Sequence, residues 1–247
     1  MDAKADEGGD CDLYRPGAHM KIETRDISFV SNGHPLNGYY ASPAGSGPHP
    51  GVVVIHEIFG LNDNIKDIAR RFADEGYAAL AVDLFAGRNR AVCMARFMAA
   101  NLFGPLEHGG VKDLKAALTF LTEQPGVDAG RVGAIGFCLG GGFALAWACT
   151  DERLKVIAPF YGMAPRPIEA VARSCPVVGS YPDPDFTTAA GRKLDEILDT
   201  ADVPHDIKIY KGARHGFFND QRPSTYNAEA SADAWQRTLA FFREHIG

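Results

Sequence analysis

The chain has 247 residues, 46% of them hydrophobic and 23% charged, which suits a globular fold with a substantial buried core. A formal net charge of −6 without a basic run argues against a nucleic-acid surface, and no apolar stretch approaches the roughly 20 residues that cross a bilayer. The five cysteines, at positions 11, 93, 138, 149 and 175, are irregularly spaced and include no Cys-x-x-Cys pair; this suits a reducing cytoplasm and argues against a disulfide framework or a zinc site.

Residues 1–19 are rich in Asp, Gly and Glu, and read as a flexible leader or added segment, neither signal peptide nor membrane anchor. Residues 20–247 read as one domain. Ile22 to Val30 and Leu36 to Ala41 are expected as strands joined at Asn32-Gly33, a hairpin signal. Gly51 to Ile55 is a β-branched run of the kind that forms a central parallel strand. Asp63 to Glu75 has apolar residues at helical spacing, and Tyr77 to Val82 is the next strand. Ala91 to Ala100 and Val111 to Glu123 read as helices, and Ala86 to His108 is the best candidate for a lid. Strands follow at Val132 to Ile135, Val156 to Tyr161, Val177 to Tyr181 and His205 to Tyr210. Helices are expected at Gly141 to Ala148, Thr188 to Thr200 and Thr225 to His245. This alternation implies an α/β fold, a mostly parallel sheet covered on both faces, with no large cap.

The segment Gly136-Phe137-Cys138-Leu139-Gly140 joins a strand to a glycine-rich helix. A small-rich strand–turn–helix with a nucleophile at its apex is the nucleophile elbow of α/β-hydrolases, here with cysteine at the apex. Glycines on both sides let strand and helix approach, and the helix N-terminus favours thiolate over thiol. The rival reading is a buried structural cysteine beside a glycine turn. The glycines fit neither a dinucleotide-binding loop nor a P-loop.

In such a sheet, functional groups collect at the carboxyl ends of the strands. His215, just after the strand ending at Tyr210, is the expected base; His56 is a competitor that precedes the nucleophile, against the order of this fold. The acid belongs after the strand ending at Tyr181. Asp183 and Asp185 both qualify, and Asp185 is preferred because the chain turns there toward a helix. Backbone amides of Ile58 and Leu139 are placed to form an oxyanion hole. His56-Glu57-Ile58-Phe59-Gly60 lacks the second histidine of a zinc helix, so no metal is expected. Glu57 is either a solvated glutamate or a carboxylate that holds the proton of a nearby thiol.

Together, His56 to Asn62, Asp83-Leu84-Phe85-Ala86, Gly136 to Gly141, Gly212 to Phe217 and the closing helix resemble the dienelactone hydrolase (carboxymethylenebutenolidase) family. The resemblance implies an α/β-hydrolase fold and a Cys-His-Asp triad, which maps onto Cys138, His215 and Asp185, with Glu57 on the resting thiol. It also implies two arginines that hold a substrate carboxylate. Arg88 is the nearest match to one, and Asn219 stands at the position of the other, where Arg214 or Arg222 would have to substitute. Phe59 and Phe217, within the same motifs, are expected beside Arg88 and Asn219 at the substrate. The expected protein is a cofactor-free hydrolase of small esters or lactones, a monomer or weak homodimer, with no nucleic-acid or membrane partner. The alternatives are a binding or redox-sensing protein on this fold, or a relative that hydrolyses a different bond.

Overall fold

The computed structural model describes residues 20–86, 90–103 and 105–247, so the expected leader and Arg88 lie outside the described residues. Eight strands form one sheet: β1 (Ile22–Ser31), β2 (His34–Pro43), β3 (His49–Ile55), β4 (Ala78–Asp83), β5 (Val127–Phe137), β6 (Val156–Phe160), β7 (Val177–Asp183) and β8 (His205–Lys211). Their order is β1-β2-β4-β3-β5-β6-β7-β8. β1 and β2 pair antiparallel, β2 pairs antiparallel with β4, and the remaining neighbours run parallel. Asn32 (φ 47°) and Gly33 (φ 81°) are both left-handed, as a two-residue hairpin turn matched to the strand twist requires.

Among the described residues six α-helices cover the sheet: α1 (Asp63–Asp74), α2 (Arg90–Phe103), α3 (Gly109–Thr122), α4 (Leu139–Ala148), α5 (Thr188–Thr200) and α6 (Ala228–Ile246). The β-branched run of β3 is buried on both faces. Val53 and Ile55 pack into the layer of α3, α4 and α5, and Val52 and Val54 into that of α1 and α6. Among the described residues no helix is long and apolar enough to cross a membrane.

Three elements show what sets their ends. β5 begins five residues early, because its outer half pairs with His49 and Pro50 past a register shift and lacks a buried run. α4 begins at Leu139, directly after Cys138, and is buried at every residue despite three glycines. Each glycine costs about 1 kcal/mol of helix propensity, offset here by backbone contact with β3 and with Gly162. α6 starts at Ala228, where Asn227 Oδ1 accepts the N–H of Ala230. The segment before it instead curls back, tied by the N–H of Asn227 to the carbonyl of Phe217.

Candidate active site

Cys138 occupies the turn between β5 and α4 at φ 54° and ψ −111°, a region that few non-glycine residues adopt. Its N–H donates to the carbonyl of Phe160 at 3.0 Å, which anchors the turn to β6. The room comes from Gly140, where a Cβ would lie 2.5 Å from the Ile55 carbonyl oxygen. The backbone amides of Leu139 and Ile58 lie close enough to the Cys138 sulfur to favour its thiolate form. Two amides from different loops, after β3 and after β5, therefore converge on one point beside the elbow.

His215 lies in the loop after β8. Its Nδ1 is 3.2 Å from Asp185 Oδ1, and the Asp185 side chain is almost fully shielded from solvent. Oδ1 also accepts the N–H of Thr187 at 2.9 Å and the Thr187 hydroxyl at 2.5 Å. Asp183 points elsewhere, to an exposed pair with Arg192 at 3.3 Å. The structure thus brings Asp185, not Asp183, against the histidine. The imidazole lies between Phe186, stacked at 4.7 Å between centroids, and Tyr161 at 4.9 Å. Its Nε2 is buried and makes no hydrogen bond. His215 is thus joined to Asp185 and makes no hydrogen bond to Cys138.

Glu57 is buried, 3% exposed, rather than solvated. Its carboxylate accepts the Tyr161 hydroxyl at 3.2 Å and the Asn219 amide at 2.9 Å. The sequence reading missed Tyr161, a non-glycine residue at φ 40° directly after β6. The strand-end rule would have found it had the loop after β6 been included. A cavity of about 480 Å³ opens at the elbow, where Cys138, His215 and Tyr161 line it together with Ile58, Leu139, Met163 and Phe186 and, from α2, Ala91, Met94 and Ala95. A larger depression, about 760 Å³, lies at the far end of α4 around Cys149 and Cys175, and none of the expected site residues reaches it.

Phe217 is fully buried among Phe160, Tyr161 and Tyr210, so it is core rather than substrate contact. Phe59 is absent from the cavity wall and carries the Arg222 guanidinium 4.8 Å over its ring. Asn219 is also buried, committed to Glu57 and to the N–H of Gln221.

A family model for the "Dienelactone hydrolase family" matches residues 36–246. The chain belongs to the dienelactone hydrolase family. A protein of Saccharolobus solfataricus, provisionally named a carboxymethylenebutenolidase, is 34% identical over 89% of this chain and 98% of its own length. Among solved structures, a dienelactone hydrolase, also provisionally named, from Klebsiella pneumoniae is 29% identical, with TM-score 0.80, over 91% of this chain and 100% of its own. A dienelactone hydrolase-like promiscuous phosphotriesterase from metagenomic libraries is 29% identical, with TM-score 0.81, over 92% of this chain and 99% of its own.

In this dienelactone hydrolase family member the thiol is not standing ready as a thiolate. Burial, then the negative charge of Glu57, then that of Asp185 push the Cys138 pKa up to about 12. The Leu139 and Ile58 amides pull it down but do not prevail. The expected gain from the helix N-terminus is therefore present in the Leu139 amide and outweighed by burial and carboxylates. Removing one negative charge should lower this pKa and raise the thiolate fraction at a fixed pH below it. Glu57→Gln is expected to speed iodoacetamide alkylation of Cys138 several-fold at pH 7.5, on the order of the tenfold per unit that a lowered pKa allows. An unchanged or slower rate, read by mass spectrometry of the Cys138 peptide, would show that Glu57 does not restrain the thiol.

Proposed function

We propose that this hydrolase cleaves a small ester or lactone through a covalent intermediate on Cys138. A substrate carbonyl oxygen enters between the Ile58 and Leu139 amides and displaces the sulfur from them. The thiol turns to His215 Nε2 and gives up its proton, and sulfur bonds to the carbonyl carbon. The tetrahedral oxyanion is held by the two amides, and Asp185 stabilises the imidazolium at Nδ1. Collapse breaks the C–O bond, and His215 returns the proton to the leaving alkoxide. Water, deprotonated by the same imidazole, then releases the acid and restores the thiol. In a lactone the leaving alkoxide stays tethered through both stages.

The observation that carries this reading is an elbow cysteine at φ 54° that shares one cavity with Ile58, Leu139 and a His215–Asp185 pair whose Nε2 is unengaged. The aliphatic and aromatic cavity wall suits the apolar body of a small ester. The test is a rapid quench with a short-chain p-nitrophenyl ester. A p-nitrophenol burst stoichiometric with enzyme, and a mass increase of one acyl group on the Cys138 peptide, are expected. Equal turnover by wild type and Cys138→Ala would overturn the proposal.

A further inference from the structure

His56 is fully buried directly after β3, and the triad does not use it. Its Nε2 accepts the backbone N–H of Leu84, at 3.1 Å, from the loop after β4. A neutral imidazole carries one ring proton, and a nitrogen that accepts cannot also donate. The proton is therefore on Nδ1, which lies 2.5 Å from the carbonyl oxygen of Glu57 and donates to it. Asp83 Oδ1 is 3.9 Å from Nε2, beyond hydrogen bonding. The ring also packs on Phe85, centroids 4.8 Å apart. With both nitrogens occupied inside the fold, His56 is no competitor for the role of base.

The gripped carbonyl belongs to the same peptide unit as the Ile58 N–H. A trans peptide is planar, and its C=O and N–H point to opposite sides. Fixing the Glu57 oxygen therefore fixes the direction of the Ile58 N–H, which favours the Cys138 thiolate; Ile58 lines the same cavity as Cys138. A second donor, the Gly60 N–H at 3.3 Å, holds the same oxygen more loosely. Gly60 itself is left-handed, at φ 79°, as this tight return requires.

We infer that His56 is a positioning residue for the oxyanion hole: by holding the Glu57 carbonyl against the loop after β4, it sets the plane of the Glu57–Ile58 peptide and aims the Ile58 amide at the reacting oxygen. The inference rests on the proposed hydrolase reading. It makes His56 matter in the transition state, where charge develops on that oxygen, more than in substrate binding.

The test compares wild type, His56→Met and His56→Gln on p-nitrophenyl butyrate. Glutamine can still donate to the Glu57 oxygen and accept from Leu84; methionine can do neither. His56→Met is expected to lower kcat by about 10²-fold with KM changed by less than about threefold, the loss typical of one oxyanion donor. Affinity for an aryl trifluoromethyl ketone, which places an oxyanion in the hole, should fall in step with kcat/KM, and His56→Gln should recover most of both. An unchanged kcat in His56→Met, an unchanged ketone affinity, or a glutamine variant as impaired as methionine would overturn the inference. If His56→Met does not fold, the wild-type tautomer decides: long-range nitrogen–proton spectra must place the His56 proton on Nδ1, and a proton on Nε2 sinks the idea. Hydrolysis independent of Cys138 would sink the proposed Cys138 mechanism alone, and the tautomer would still report whether His56 grips the peptide.

Discussion

Asp185→Ala is expected to lower kcat by about 10³–10⁴-fold, the scale for removing the acid of a catalytic triad. Asp185 touches His215 Nδ1, and without it neither the tautomer nor the developing imidazolium is supported. Asp185→Asn should cost less, about 10–10²-fold, for a reason specific to this loop. The N–H and hydroxyl of Thr187 both donate to Oδ1, the oxygen that faces His215. They would hold the asparagine with its oxygen in that place, so the tautomer survives and only the charge is lost. Asp183→Ala removes an exposed ion pair, of a kind worth about 0–1 kcal/mol, and should leave kcat within about twofold. Steady-state kinetics on one p-nitrophenyl ester would settle all three. A larger loss at Asp183 than at Asp185 would reverse the assignment of the acid.

Gly140→Ala is expected to destabilise the fold by more than about 4 kcal/mol, or to prevent its recovery in folded form. A Cβ there would lie 2.5 Å from the Ile55 oxygen and 2.7 Å from the His56 oxygen. Both are backbone atoms at the end of the central strand, and the contacts cannot be relieved by a side-chain rotation. Moving them would also displace Glu57 and Ile58. Gly109→Ala is the control: a Cβ there meets nothing within 4 Å, and the residue is exposed at the start of α3. That change should be neutral or stabilise by about 0.5–1 kcal/mol through helix propensity. Urea midpoints for the two variants test the contrast; similar values would mean that α4 and β3 are less tightly apposed than described.

Much of this architecture is legible in residue types. The β-branched run of β3, the Asn32-Gly33 turn and the glycines flanking Cys138 each encode a local requirement: burial on two faces, positive φ, and close backbone approach. What stays hidden depends on partners distant in sequence. The first half of β5 has no buried run, because it is made a strand by pairing with His49 and Pro50. Phe217 and Asn219 sit two and four residues past His215, near enough to suggest substrate contact. The turn after β8 instead sends one into the core and the other to Glu57, 162 positions away. The choice between Asp183 and Asp185 rests on side-chain direction in a short loop, which residue type alone only favours. Arg88 lies outside the described residues, so its expected role stands as the resemblance left it.

α2 brings Ala91, Met94 and Ala95 to the cavity on one helical face, from a segment inserted between β4 and α3. The sulfur, the imidazole and the two amides come from strand ends and the elbow instead. The α2 part of the cavity wall and the groups around the sulfur are thus separate pieces of chain. Larger or polar side chains at Ala91, Met94 or Ala95 would reshape the cavity from α2 without altering the residues of the elbow turn. In such a layout the size and polarity of the cavity are set by one part of the chain and the groups beside the sulfur by others.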